Sequence, residues 1–203
     1  MTAGNAIMLD ANTSIGFIGA GRLGTSVAVA LQRADYRVVA VSSRSASSAE
    51  SFAESVPGCA PVSSSQDVAD IADAVFITTP DASIEPVVSV VSWRSGQVVI
   101  HCSGARPVSD LVSAYESGAR TGGLHPLQTF PTSDSADLIS GASAAVGSDD
   151  PVLLEWLQSV VYRLEAKPFT IQDKHRATYH ASAVMACGLV ASLMGLAAEV
   201  WSE

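Results

Sequence analysis

Basic residues are scarce in this 203-residue chain: lysine occurs only as Lys167 and Lys174, and Lys plus Arg total 11 against 20 Asp plus Glu. The formal charge of −9 leaves no broad basic face, which excludes nucleic acid and anionic membrane surfaces as partners. Cysteine is equally sparse. Cys59, Cys102 and Cys187 are widely spaced and odd in number, so they form no disulfide framework and no metal-ligand pair, and a reducing cytoplasm is the expected location. No Cys/His cluster has zinc-ligand spacing and no pair of carboxylates has a glycosidase pattern, so no metal is expected. Residues 1–14 lack the basic start and apolar core of a signal peptide. No internal repeat is present, and the Ser-rich stretches at 42–51 and 63–65 read as connectors. The one membrane-like stretch is Ala181 to Trp201. Glu199, Ser202, Cys187-Gly188 and Gly195, together with the lack of basic residues beyond it, favour a buried helix of a helical domain over a span.

What is abundant is apolar sequence, 48% of residues, arranged in short β-branched runs separated by helical stretches. Strands are expected at Ile15 to Ile18, Arg37 to Ser42, Cys59 to Val62, Ala74 to Thr79, Gln97 to Ile100, Arg120 to Leu124, Ala142 to Val146 and Lys167 to Ile171. Helices are expected after Gly24, at Ala46 to Val56, Asp67 to Ala72, Ser83 to Trp93 and Val108 to Tyr115, and at Pro151 to Leu164 with proline in its first turn. Apolar runs of this kind belong to strands covered on both faces, and parallel order follows. The expected fold class is α/β, a doubly wound, mostly parallel sheet over residues 1–172. Residues 173–203 read as one long helix opening at an Asp173 cap, the first helix of an all-α domain inside which the sequence ends. An apolar helix of this composition needs a cover, and a homodimer through it is the expected arrangement.

The most informative stretch is Ile15-Gly16-Phe17-Ile18-Gly19-Ala20-Gly21-Arg22-Leu23-Gly24, a strand feeding a glycine triplet that opens a helix. Gly19 permits the tight turn, Gly21 lets a pyrophosphate approach the backbone N–H groups of Arg22 and Leu23, and Gly24 lets helix and strand pack closely. The next strand ends in Val41-Ser42-Ser43-Arg44-Ser45, with no acidic residue between Asp35 and Glu50. A ribose 2′-hydroxyl would need such an acceptor, whereas Ser43 and Arg44 suit a 2′-phosphate, so the expected cofactor is NADP. The alternative is an arginine in an ordinary polar loop.

Ligands of doubly wound sheets lie beyond the carboxyl ends of the strands. The polar residues expected there are Thr78, Thr79, Pro80 and Asp81, then His101 and Ser103, then His125, Gln128 and Thr129. In His101-Cys102-Ser103-Gly104 the glycine would let backbone N–H groups face a ligand oxygen. Arg176, Tyr179 and His180 share one helical face, suited to an anionic substrate beside the nicotinamide. Thr79 and Pro80 would border the nicotinamide ribose, and His101, Ser103, His125 and His180 are the candidates for polarising or protonating a substrate oxygen, histidine for its near-neutral pKa. Each has a plain structural alternative: a loop hydrogen bond for His125, a core position for His101, a helix cap for Asp81, a solvated first turn for the last helix.

Taken together, Ile18 to Gly24, Ser43-Arg44, Thr79-Pro80-Asp81, His101 to Ala105, Leu124-His125-Pro126-Leu127-Gln128-Thr129-Phe130 and Tyr179-His180-Ala181 resemble the Rossmann-like oxidoreductases whose helical C-terminal domain is of unknown function. These are similar to pyrroline-5-carboxylate reductase, ketopantoate reductase and 6-phosphogluconate dehydrogenase. The His-Pro-Leu-Gln-Thr-Phe run is the most specific match. The resemblance implies hydride transfer between NADP(H) and a small carbonyl, imine or hydroxy-acid substrate. Two departures stand out: family members carry further helices, and they tend to have Asn in the long helix where this chain has Gly188, a position that in related dehydrogenases resembles part of the substrate site. A non-catalytic NADP-binding sensor or scaffold is the rival reading, and a flavin or deazaflavin sharing the cleft is a third.

Overall fold

A computed structural model describes residues 9–202, so the first part of the expected leader-free N-terminus and Glu203 at the end of the expected last helix lie outside the described residues. The chain builds one eight-stranded sheet in the order β3-β2-β1-β4-β5-β6-β7-β8. The strands are β1 (Ser14–Ile18), β2 (Arg37–Ser42), β3 (Ala60–Pro61), β4 (Ala74–Ile77), β5 (Val98–His101), β6 (Arg120–Pro126), β7 (Ser143–Gly147) and β8 (Lys167–Thr170). All neighbours are parallel except β6 and β7, which run antiparallel. The third strand is shorter than expected, two paired residues rather than four, because Cys59 and Val62 are held by single turn and ladder bonds to Val56 and Val41.

Alternate residues of the buried strands feed two apolar layers. Ile15, Phe17, Phe76, Val98 and Ile100 face α1 (Arg22–Arg33), α2 (Ala46–Ser55) and α6 (Pro151–Arg163), whereas Ile18, Val75, Ile77 and Val99 face α3 (Ser65–Ile71), α4 (Ile84–Ser89) and α5 (Val112–Glu116). Strands apolar on both sides must be covered on both sides, and the helices do so. Gly16 makes one of these contacts possible: a Cβ there would stand 2.5 Å from Val68 Cγ1 of α3.

Local chemistry sets the starts of α2, α3 and α6. Ser64 and Asp67 form a capping box on α3, and Asp150 accepts from the N–H groups of Val152 and Leu153 with Pro151 at the first position of α6. The expected helix over 83–93 is replaced by a single 3₁₀ turn, Asp81–Ser83, followed by the short α4. Beyond Ser89 the chain turns away to exchange hydrogen bonds between Ser92 and the Gln66 side chain. Asp81 is the first residue of that turn and makes no capping bond. The stretch from Val108 likewise starts as a 3₁₀ turn, Val108–Leu111, before α5.

The last segment is helical from Asp173 to Trp201 as α7 (Asp173–Val184), a π-type turn at Met185–Leu189 and α8 (Val190–Trp201). Asp173 is not the cap: Gln172 holds that position without a side-chain bond, while the Asp173 carboxylate pairs with Arg176. The helix is long and apolar enough to cross a membrane, yet it is not buried within this chain. Leu193, Met194, Leu196 and Trp201 are exposed. Its first two turns touch the sheet through Arg176, Tyr179 and His180.

Candidate functional site

The turn from β1 to α1 sits at the point where strand order reverses, between β1 and β4, and its three glycines differ in what they permit. Gly19 has φ +114°, and a Cβ there would stand 2.7 Å from the Thr78 carbonyl carbon. Gly24 faces Thr78 at similar range, with 2.6 Å from a Cβ to Oγ1 and 2.7 Å to the Gly19 carbonyl. Both therefore serve close packing, and the Thr78 hydroxyl seals the junction by donating to the Gly19 carbonyl at 2.7 Å. Gly21 is different: nothing lies within 4 Å of a Cβ there. It is also the N-cap of α1, with no side-chain cap and no acidic residue in the first turn. Where α2, α3 and α6 cap themselves, α1 presents its N–H groups outward beside a backbone without side chains, the geometry that receives an anion.

A cleft of about 620 Å³ opens from this turn. Gly19, Gly21, Ser43, Arg44, Thr79 and Pro80 all line it, while Arg22, Leu23 and Gly24 of α1 are not among its lining residues. Ser48, Ser63, Ser64 and Ser65 line it too. In the sequence the serines of 63–65 look like a plain connector; they reach the cleft because β3 pairs beside β2 and carries that loop to its end. Two hydroxyls on this wall, Ser42 Oγ and Thr79 Oγ1, are buried without a hydrogen-bond partner.

Arg44 stands apart from the other eight arginines. Arg22 donates to the Pro131 carbonyl, Arg37 to that of Asn12 and Arg94 to those of Ala69 and Ala72; Arg163 lies over the Tyr36 ring; Arg33, Arg106, Arg120 and Arg176 are paired with carboxylates. Arg44, at the mouth of the cleft, makes no such contact among the described residues. A second cleft, of about 450 Å³, is lined by Asp149, Asp150 and Asp173. Arg120 also lines it but is paired with Asp150, so the wall stays net negative, the wrong sign for a phosphate.

Beyond the ends of β5 and β6 the histidines gather. His125 Nδ1 lies 2.9 Å from the Tyr179 hydroxyl, and the His125 and His180 ring centroids are 5.6 Å apart and edge-on. Gly104 makes room for both rings: a Cβ on it would meet His180 Nδ1 at 2.6 Å and His125 Nε2 at 2.8 Å. These two nitrogens thus converge on one point. His180 Nδ1 is buried and has no hydrogen-bond partner.

His101 and Ser103 belong to the same cluster but face inward. His101 is fully buried, its Nδ1 accepts from the Ser103 N–H at 3.2 Å, and its remaining nitrogen points toward the Pro107 carbonyl outside good hydrogen-bond geometry. Ser103 Oγ accepts from the N–H groups of Ala105 and Arg106. The N–H groups of Ser103, Ala105 and Arg106 beside Gly104 are thus taken up by the loop itself, since a tight turn leaving a strand end must satisfy its own buried donors.

The near-neutral pKa that recommends histidine does not survive this environment. Burial, reinforced by His180 and Arg176 and opposed by Asp81, pushes His125 down to about 4. Burial and the Arg176 charge, opposed by Asp173, take His101 to about 3. Burial raises the Tyr179 phenol, against Arg176. At neutral pH His101 and His125 are therefore neutral imidazoles and Tyr179 a protonated phenol, hydrogen-bond donors rather than free acids. In the sequence Tyr179 stands out as a neighbour on a helical face and as part of the Tyr179-His180-Ala181 match; its bond to His125 spans 54 residues and no local pattern shows it.

The profile of the Rossmann-like domain matches residues 2–126, and that of a domain of unknown function (DUF2520) matches residues 143–203. No curated protein matches. Among solved structures, a candidate NADP oxidoreductase of Bacteroides fragilis is 24% identical, with a TM-score of 0.81 over 94% of this chain and 73% of that one. Prephenate dehydrogenase from A. aeolicus, solved with NAD+, is 16% identical, with a TM-score of 0.70 over 81% and 61%. An imine reductase from Pseudomonas sp. is 18% identical, with a TM-score of 0.69 over 90% and 64%. At these identities the likeness is one of fold.

Proposed function

Because this chain belongs to the Rossmann-like domain family, we propose that it is an NADP(H)-dependent oxidoreductase acting on a small carbonyl, imine or hydroxy-acid substrate. The observation that carries this reading is the pairing of an open, uncapped glycine turn with Arg44, the one arginine without a partner among the described residues, on a cleft wall rich in serine and free of carboxylate. The N–H groups of Arg22 and Leu23 beside Gly21 would hold the pyrophosphate, with Gly19 and Gly24 shaping the turn. Ser43 and Arg44, joined by Ser48, would take the 2′-phosphate. Thr79, whose buried hydroxyl lacks a partner, and Pro80 would border the nicotinamide ribose. When bound, the nicotinamide supplies or accepts the hydride.

On the substrate side, His125, Tyr179 and His180 are the groups placed to touch a reacting oxygen or nitrogen. A phenol O–H donating to His125 Nδ1 leaves the ring proton on Nε2, which faces the space above Gly104. A neutral imidazole N–H there stabilises negative charge developing on the substrate without needing to be protonated first. His101 and Ser103 hold the loop that carries Gly104, and their part is support. The free cysteines fit a reducing cytoplasm, and the exposed α8 fits a homodimer.

A non-catalytic NADP-binding sensor or scaffold is the second reading, favoured by Gly188, which gives the π-type turn of the long helix no polar side chain. Titrating the protein with NADPH and NADH in a calorimeter and then adding 2-keto acids and cyclic imines separates the two. An oxidoreductase binds NADPH more tightly and consumes it with one of the substrates; a sensor binds and leaves the reduced-nicotinamide absorbance constant. Absence of binding to either nucleotide removes both readings.

A further inference from the structure

The largest fully buried side chain among the described residues is not apolar: it is Arg176, on the first turn of α7, with no exposed surface. Its Nε donates to Asp173 Oδ1 at 3.0 Å and its Nη1 to the Ser103 carbonyl at 3.3 Å, while Nη2 has no partner. The seat of this guanidinium is a notch in the sheet. Gly123 of β6 and Gly147 of β7 are directly paired across the antiparallel ladder, and a Cβ on either would come within 2.6 Å and 2.9 Å of Nη2. Two facing glycines thus clear a bare patch of backbone at the point where the arginine lies.

We propose that Arg176 is a positioning residue for the substrate side of the site, bolting α7 into the Gly123–Gly147 notch so that Tyr179 and His180 meet His125. This inference rests on the reading of the His125 cluster given above. Tyr179 and His180 stand three and four residues beyond Arg176, one turn up the same face of the helix. Apart from this seat, α7 reaches the sheet mainly through rings: Tyr179 against Phe169 and His125, and His180 against His125. An apolar side chain of similar size would anchor a helix as well as a buried ion pair does, since desolvating a guanidinium offsets most of what its carboxylate partner returns. A retained charge with one unsatisfied nitrogen therefore points to a use other than adhesion. Its fork geometry reaches three elements at once: its own helix, the loop after β5 and the β6–β7 pair. Its charge also lies among the groups that set the protonation of the rings. His125 faces His180, Arg176 and Asp81, and His101 faces Arg176, Asp173 and His125.

The test uses the full chain without nucleotide, followed by NMR of the histidine and tyrosine rings. In Arg176→Met the cross-peaks between His125 and Tyr179 disappear and the His125 titration midpoint rises from about 4 by about 0.5 pH unit or more. Arg176→Lys, which keeps the charge, brings the midpoint back down. Gly147→Ala fills the notch from the opposite side with the arginine intact, and also loses the ring contact; it decides the matter if Arg176→Met does not fold. NADPH affinity of each folded variant stays within about threefold of the unsubstituted chain, because the glycine turn is untouched. Retention of the His125–Tyr179 contact in Gly147→Ala, or an unmoved His125 midpoint in a folded Arg176→Met, overturns the proposal. Failure of the unsubstituted chain to bind nucleotide sinks the proposed function instead and leaves the ring measurements to be read on their own.

Discussion

Alanine at Gly21 and at Gly24, three residues apart in one motif, should act on different properties. At Gly24, inside α1, alanine would normally gain about 1 kcal/mol of helix propensity. Here the new methyl would lie 2.6 Å from Thr78 Oγ1 and 2.7 Å from the Gly19 carbonyl, and would part a hydroxyl and carbonyl that are bonded at 2.7 Å. Overpacking costs about 1–3 kcal/mol and the lost bond about 1 kcal/mol more, so the net effect is destabilisation of roughly 1–3 kcal/mol. For a chain of this length that lowers Tm by roughly 3–10 °C. At Gly21 the backbone has φ −84°, which any residue adopts, and a methyl meets nothing within 4 Å. Gly21→Ala should leave stability within about 1 kcal/mol and instead place the methyl where the pyrophosphate would lie, weakening NADPH by at least about tenfold. Thermal denaturation and calorimetry on the two variants measure both axes. Gly21→Ala with unimpaired NADPH binding, or Gly24→Ala as stable as the parent, would refute the division of labour among the glycines.

Three further outcomes are expected. Arg44→Ser should weaken NADPH by about 10–100-fold and leave NADH nearly unchanged, removing a charge-assisted phosphate contact and nothing else; an equal loss for both nucleotides in calorimetry would assign Arg44 to the adenosine as a whole. His101 and His125 have folded pKa values of about 3 and about 4, below the unfolded 6.5. The unfolded chain therefore binds more protons, and stability falls as pH drops below about 6.5, by on the order of 2 kcal/mol per buried histidine at pH 5. Urea midpoints should show this loss, and His101→Asn should flatten it; an unchanged slope would contradict the burial assigned to His101. Light scattering should give a dimer mass that Leu193→Glu on the exposed face of α8 converts to a monomer, and a monodisperse monomeric parent would refute that interface.

Local chemistry explains what could be read from the residues alone. A strand buried on both faces has no polar alternation, so Ala74–Ile77 and Val98–His101 announce themselves as apolar runs, and parallel order follows from the need to cover them. The glycine turn was legible for the same reason: Gly19 and Gly24 answer steric demands that only a missing side chain meets. Weak elements break off where tertiary bonds interrupt them, as at Ser92, whose exchange with Gln66 draws the chain away after Ser89. Asp173 has the residue type of a helix cap, and only the burial of Arg176 shows that its carboxylate is needed elsewhere.

The sequence by itself determined the sheet and the glycine turn, because strand patterning and glycine spacing are properties of short segments. The tertiary structure alone decided that His125 meets Tyr179 and His180, that His101 and Ser103 hydrogen-bond within their own loop, and that Arg176 lies on Gly123 and Gly147. These depend on contacts between segments dozens of residues apart, and on burial that moves a pKa by more than any neighbour in the chain does, neither of which a local pattern carries.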